Sequence, residues 1–103
     1  MAFPPPDITA TVTFFTAEQG GRRVPTAASG RYGCPAIIDG EYCDVFFNLA
    51  ETGPIAPGQT ITAGLRFLSP EFALPRLSVG KDFSIWEGKV IGTCRVLAIH
   101  VAT

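Results

Sequence analysis

Between Ile8 and Phe15 the side chains alternate, with Ile8, Ala10, Val12 and Phe14 on one side and Thr9, Thr11 and Thr13 on the other. This is the period of a half-buried strand rich in β-branched residues. The same period returns from Thr60 to Leu68, where Ile61, Ala63, Leu65 and Phe67 oppose Thr60, Thr62, Gly64 and Arg66. Tyr42 to Leu49 is a further apolar run. Asp82 to Glu87 and Lys89 to Ile99 flank Gly88 closely enough for a hairpin, and Cys34 to Ile38 reads as a shorter strand after Gly33. No helical stripe competes with them. Turns are marked by Gly20-Gly21, Asp39-Gly40, Pro57-Gly58, Ser69-Pro70 and Gly80, which supply positive φ or a fixed φ. The reading is all-β. Six short antiparallel strands in 103 residues bury their apolar faces only if the sheet closes into a barrel or folds into a sandwich. Periodicity does not choose between these. One domain is expected over residues 8–99, with an extended proline-rich tail at 1–7 and a short C-terminal tail at 100–103.

A chain of this length makes a single domain, with no room for a second, catalytic one. Apolar residues make up 47% and charged residues 17%, a balance that suits a packed core. The formal net charge of −1 provides no general basic field, so any contact with nucleic acid has to come from a local cluster. Cys34, Cys43 and Cys94 are widely spaced, without a C-x-x-C pair, and His100 is the sole histidine. No metal site is expected, and the cysteines read as small half-buried hydrophobes. The start of the chain lacks a basic, apolar leader and no stretch is long enough to span a membrane. The expectation is a cytoplasmic protein with reduced thiols, no membrane partner and no cofactor.

A search for chemistry finds little. His100 lies three residues from the C-terminus, where a triad would rest on a frayed position. Asp39, Glu41 and Asp44 crowd one turn but match no calcium loop, and solvated turn carboxylates are the ordinary reading. No G-x-x-x-x-G-K-[ST] segment is present, so GTP binding of the P-loop kind is not expected. The chain reads as noncatalytic. What remains is a binding surface. Arg22, Arg23 and Arg31 bracket a Gly/Ala/Ser-rich loop, Gly20 to Gly33, whose guanidinium groups suit phosphate or carboxylate. Alternation with Phe83 and Ile85 inward puts Trp86 on the outer face, beside Asp82 and Ser84. There it would stack on a base, anchor an interface, or pack beneath the tail or the segment Ser69 to Val79.

Three blocks of sequence carry a family resemblance. Thr16-Ala17-Glu18-Gln19-Gly20-Gly21-Arg22-Arg23-Val24-Pro25, following a strand, resembles a loop of the C-terminal β-barrel domain of bacterial elongation factor Tu. Pro54 to Thr62 is similar to that family's Met-Pro-Gly-Asp segment, and Asp82 to Leu97 to its last hairpin. The blocks occur in family order from about Ile8 to Leu97. The resemblance implies a six-stranded antiparallel closed barrel, and a surface that in the family meets aminoacyl-tRNA, the nucleotide-binding domain and the exchange factor. Glu87 and Gly88 match the family's Glu-Gly pair, but Trp86 stands where the family has arginine. Arg23 stands where a histidine is usual. Cys34 to Ile38 lacks the family strand's aromatics and arginine, and the run Ser69 to Leu77 is longer than the family's link.

Fold positions are thus kept while tRNA-facing positions are altered, and a lone barrel would hold RNA weakly. The expected function is a noncatalytic protein-interaction module, binding through the Trp86 face and the Ser69 to Val79 segment. Two alternatives stand beside it. One is an RNA- or tRNA-binding accessory of translation using Arg22, Arg23, Arg31, Lys89 and Arg95. The other is a decoy or immunity-type mimic of the elongation factor. Trp86, Phe72 and Leu74 are expected to be exposed, which makes a homodimer reasonable.

Overall fold

Six antiparallel strands close on one another in the computed structural model, which describes residues 5–100. They are β1 (Ile8–Phe14), β2 (Arg31–Ile38), β3 (Glu41–Asn48), β4 (Thr60–Phe67), β5 (Asp82–Trp86) and β6 (Val90–Ile99). Around the barrel they run β1-β4-β3-β2-β5-β6. The choice that periodicity left open falls to the barrel, because β1 pairs with β4 on one side and with β6 on the other. Most of the inward sets expected from alternation are buried: Ile8, Ala10, Val12 and Phe14 of β1, and Ala63, Leu65 and Phe67 of β4, are all 5% exposed or less, while Ile61 of β4 is partly buried and packs against this core.

β2 begins earlier than its sequence suggests. Arg31, Tyr32 and Gly33 lie in the strand and pair with Asn48, Phe47 and Phe46 of β3. Aromatic packing overrides the loop-like composition here: the Tyr32 ring lies 6.2 Å from Phe14 and 5.5 Å from Phe47. Gly33 leaves room for the Phe46 ring, which stands 2.7 Å from where a Cβ would be.

The barrel has two different ends. At one, residues 15–30, 49–59 and 87–89 form the connections, and Leu49 of the one-turn helix α1 (Leu49–Thr52) closes the core together with Ile55. At the other, residues 39–40 and 68–81 make the connections. There the one-turn helix α2 (Pro70–Ala73) and a 3-10 turn (Leu74–Arg76) lead to Leu77, and Ala73 and Leu77 are buried. Pro70 explains the change from strand to helix: it has no N–H for a ladder, and its φ suits the first helical position.

Asp7 and His100 meet at this second end. The Asp7 N–H donates to the Leu65 carbonyl at 2.8 Å and its carboxylate accepts from the Phe67 N–H at 2.8 Å. His100, expected in a frayed tail, is tied down: its N–H donates to the Asp7 carbonyl at 2.9 Å, and its Nε2 lies 2.7 Å from Thr9 Oγ1. The remainder of the two expected tails, residues 1–4 and 101–103, lies outside the described residues.

Candidate interaction surfaces

The loop from Thr16 to Gly30 is not the pliable arm that its composition suggests. Gly21 N–H donates to the Thr16 carbonyl at 2.8 Å, and Gly21 packs so closely on the Phe15 backbone that no Cβ fits. Thr26 is buried and exchanges bonds with Ile55: Thr26 N–H to the Ile55 carbonyl at 3.0 Å, Ile55 N–H to Thr26 Oγ1 at 2.8 Å. Between these anchors Arg22 turns inward. It donates from Nε to the Val24 carbonyl at 3.2 Å and pairs with the Glu87 carboxylate at 2.5 Å. The Tyr32 hydroxyl donates to the same carboxylate, and the Arg22 guanidinium lies 5.4 Å from the Tyr32 ring centre.

Arg22, Tyr32 and Glu87 therefore form a clasp between the β1–β2 loop, strand β2 and the β5–β6 hairpin. Two expected binding residues, Arg22 and Glu87, are thus paired with each other within the fold. With the pair only partly exposed, Glu87→Ala is expected to lower unfolding free energy by about 1 to 2 kcal/mol, since it strands the Tyr32 hydroxyl and the Arg22 guanidinium together. Urea unfolding of the two proteins measures it, and an unchanged midpoint would show the clasp to be ornamental.

The other cations divide in the same way. Arg31 is in β2 and stacks over the Phe46 ring at 4.4 Å. Arg95, in β6, holds Asp82 in a bidentate pair at 2.7 and 3.0 Å, which holds the Asp82 carboxyl below the usual carboxylate range. The pair sits at a polar depression of about 320 Å³ lined also by Thr11, Thr13 and Thr93, where its two charges cancel. Arg23 and Lys89 are exposed and, among the described residues, have neither a carboxylate partner nor an aromatic one. Of the five cations read from the sequence, Arg22 and Arg95 are in ion pairs, while Arg23, Arg31 and Lys89 are exposed without a carboxylate partner among the described residues.

Trp86 faces outward from β5 but is half-buried, its ring edge-on to Tyr42 at 5.8 Å. Its aromatic partner thus lies on the outer face of β3. Tyr42 in turn opens a second surface. It is 59% exposed and, with Leu68 at 64% and Phe72 at 40%, lines a concavity of about 310 Å³ together with Cys43, Asp44, Ser69 and Glu71. Leu74, expected to be exposed beside Phe72, packs against the core instead. Phe72 carries the Arg76 guanidinium over its ring at 4.2 Å.

Tyr42 and Leu68 were not singled out by the sequence, although strand parity marks both. With Cys43 and Val45 inward, Tyr42 must face out, and with Phe67 inward so must Leu68. The three cysteines are free and buried, more deeply than half-buried hydrophobes. Burial pushes the Cys34 thiol up to about 12.

The architecture defines an all-β protein of the closed six-stranded antiparallel barrel class. A scan against protein-family models and a search of the curated proteins find no match to this chain. No helix among the described residues is long and apolar enough to cross a membrane.

Proposed function

We propose that this chain is a noncatalytic protein-interaction module, a barrel of the elongation factor Tu C-terminal kind, acting in the cytoplasm and binding a protein through the Tyr42 and Trp86 face and the adjoining Ser69 to Val79 segment. The observation that carries it is the gathering of Tyr42, Leu68 and Phe72 around one concavity, with Trp86 packed beside Tyr42. Large side chains exposed singly need no explanation; several around one hollow, bordered by polar Ser69, Asp44 and Glu71, have the make-up of an interface centre with a polar rim. The closed barrel agrees with the fold that the resemblance implies, and the pairing of Arg22 with Glu87 weighs against a phosphate-binding face.

The RNA-binding reading draws its support from Arg23 and Lys89. With Arg31, which is exposed and without a carboxylate partner among the described residues, they make a small electrostatic footprint, and binding through it would fall steeply with salt. The experiment is capture from extracts of the source cell by wild-type protein, Leu68→Asp, and Arg23→Ala with Lys89→Ala, eluted in salt steps. The expected result is a protein partner retained at about 0.5 M salt, where surface charges are screened within a few ångströms, kept by the double arginine–lysine variant and lost with Leu68→Asp. RNA released at low salt and lost with the double variant would replace this reading with the accessory of translation. Elongation-factor-binding proteins recovered through the Glu87–Gly88 turn would favour the mimic.

A further inference from the structure

The barrel is closed, but its seams are uneven. β3 and β4 pair only over Val45↔Phe67, Phe46↔Arg66 and Phe47↔Leu65. One more bond follows, from the Leu68 N–H to the Asp44 carbonyl at 3.0 Å, before Ser69-Pro70 turns the chain into α2. β3, however, continues toward its own start through Cys43, Tyr42 and Glu41, all paired on their other side with β2. Among the described residues, no strand lies beside this half of β3 on the side that β4 has left.

Antiparallel alternation fixes which backbone groups are left open. The Leu68 bond shows that the polar groups of Asp44 point toward β4, so those of Tyr42, two residues away, point the same way. The Ile37↔Tyr42 pair of the β2–β3 ladder is accordingly the kind without reciprocal bonds. Among the described residues the Tyr42 N–H, the Tyr42 carbonyl and the Asp44 N–H have no partner outside that ladder. These groups border the concavity whose opposite wall is Leu68, Ser69, Glu71 and Phe72. The site is a slot with a backbone template on one wall and apolar side chains on the other.

Resting on the interaction-module reading, we propose that this slot receives an extended segment of a partner protein, which adds a strand to the open edge of β3 at Tyr42 to Asp44. The partner's alternate side chains would be apolar against Leu68 and Phe72, with lysine or arginine near them. The charge of the slot selects the basic residues. Asp44 and Glu71 line it, Glu41 precedes Tyr42 on β3, and none is in an ion pair among the described residues, while Arg76, laid on Phe72, is the cation beside them. An open edge is a template for any strand, and charges along it select against the wrong one. A second copy of this edge would bring the same carboxylates together, so self-pairing is disfavoured and a basic partner favoured.

The test uses an end-blocked peptide of alternating valine and lysine, its glutamate-for-lysine counterpart, and a copy N-methylated at alternate peptide nitrogens. Binding is followed by amide shifts and hydrogen exchange of the protein. The expected result is saturable binding of the valine–lysine peptide, with slowed exchange at the Tyr42 and Asp44 amides. Both other peptides bind at least tenfold more weakly. Tyr42→Pro removes the open-edge donor without breaking a bond to β2, and it weakens binding at least tenfold beyond Tyr42→Ala. Should Tyr42→Pro fail to fold, the N-methylated peptide decides alone. Equal binding of that peptide, no saturation at these amides, protection of them by self-association, or their response to polyuridine instead would overturn strand addition. If strand addition fails while Leu68→Asp still abolishes partner capture, the module reading stands; if capture survives Leu68→Asp, both fall.

Discussion

Replacing Gly92 by alanine is expected to lower the stability of the barrel by about 3 kcal/mol, a large part of the ~5 to 15 kcal/mol that holds a domain of this size. Gly92 stands at a bulge: β5 and β6 pair Ile85 with Gly92 and Trp86 with Val90, leaving Ile91 as the extra residue. Beyond the bulge Gly92, Cys94 and Val96 are all buried on the inward parity of β6. A Cβ on Gly92 would lie inside the envelope of the Thr13 carbonyl oxygen and 3.2 Å from the Ile85 side chain. Ile85 has rotamers to give. The Thr13 carbonyl does not, because β1 is held by β4 on one side and β6 on the other. The comparison is Gly88→Ala in the same hairpin, where φ is +72° and the space is open; it should cost only about 1 to 2 kcal/mol for the left-handed conformation. Urea midpoints of the two variants measure the contrast. Equal midpoints would show that the seam between β1 and β6 yields readily, and that the hairpin carrying Trp86 and Glu87 is less firmly placed than its hydrogen bonds imply.

How much of this was legible in the sequence depends on the range of the interaction. The alternation of β1 and β4 is local, and it identified their buried faces because each strand has one face in the core. The hairpin at Gly88 was legible for the same reason. Closure was a different matter, since it depends on β1 meeting β6 across more than seventy residues and is a property of the whole sheet. Composition was misleading at the loop after β1. Small residues there signalled freedom, but Gly21 is small because it lies against Phe15, and Thr26 is polar because it bonds to Ile55.

The same limit applies to the surface. Arg22 and Glu87 are sixty-five positions apart, so no spacing rule could show that each satisfies the other, and both looked available. Trp86 was placed on the correct face by parity, while its packing on Tyr42 required the register of three strands. The slot beside β3 is subtler still. It exists because Pro70 ends β4 before β3 has run its length, a mismatch between two strands that neither segment records alone.

Above about pH 9 the folded barrel should lose stability at a slope set by its buried thiols, about 1.4 kcal/mol per pH unit for each one. Burial is the main cause for Cys34, whose thiol rises from 9.0 to about 12, and for Cys94, whose thiol is pushed up further by burial and then by the nearby Cys34. Tyr32 behaves alike: burial first, then Cys34 and the hydrogen bond to Glu87, hold its phenol well above the usual value of 10.0. In all three the folded state keeps a proton that the unfolded chain gives up. The stability associated with these groups is therefore intact below pH 9 and is lost as pH rises toward the folded values, with Tyr32 adding to the slope above pH 10. Urea midpoints should be nearly level from neutrality to pH 8.5, within about 1 kcal/mol, and fall steeply beyond. Cys34→Ala should flatten the alkaline limb by about one thiol's share, whatever it does to stability at neutral pH. Cys43→Ala should flatten it less, because Cys43 lines the slot and the Arg76 guanidinium opposes the effect of its burial. An alkaline limb unchanged by Cys34→Ala would mean that water reaches this thiol, and that the Tyr32 end of the barrel opens in solution.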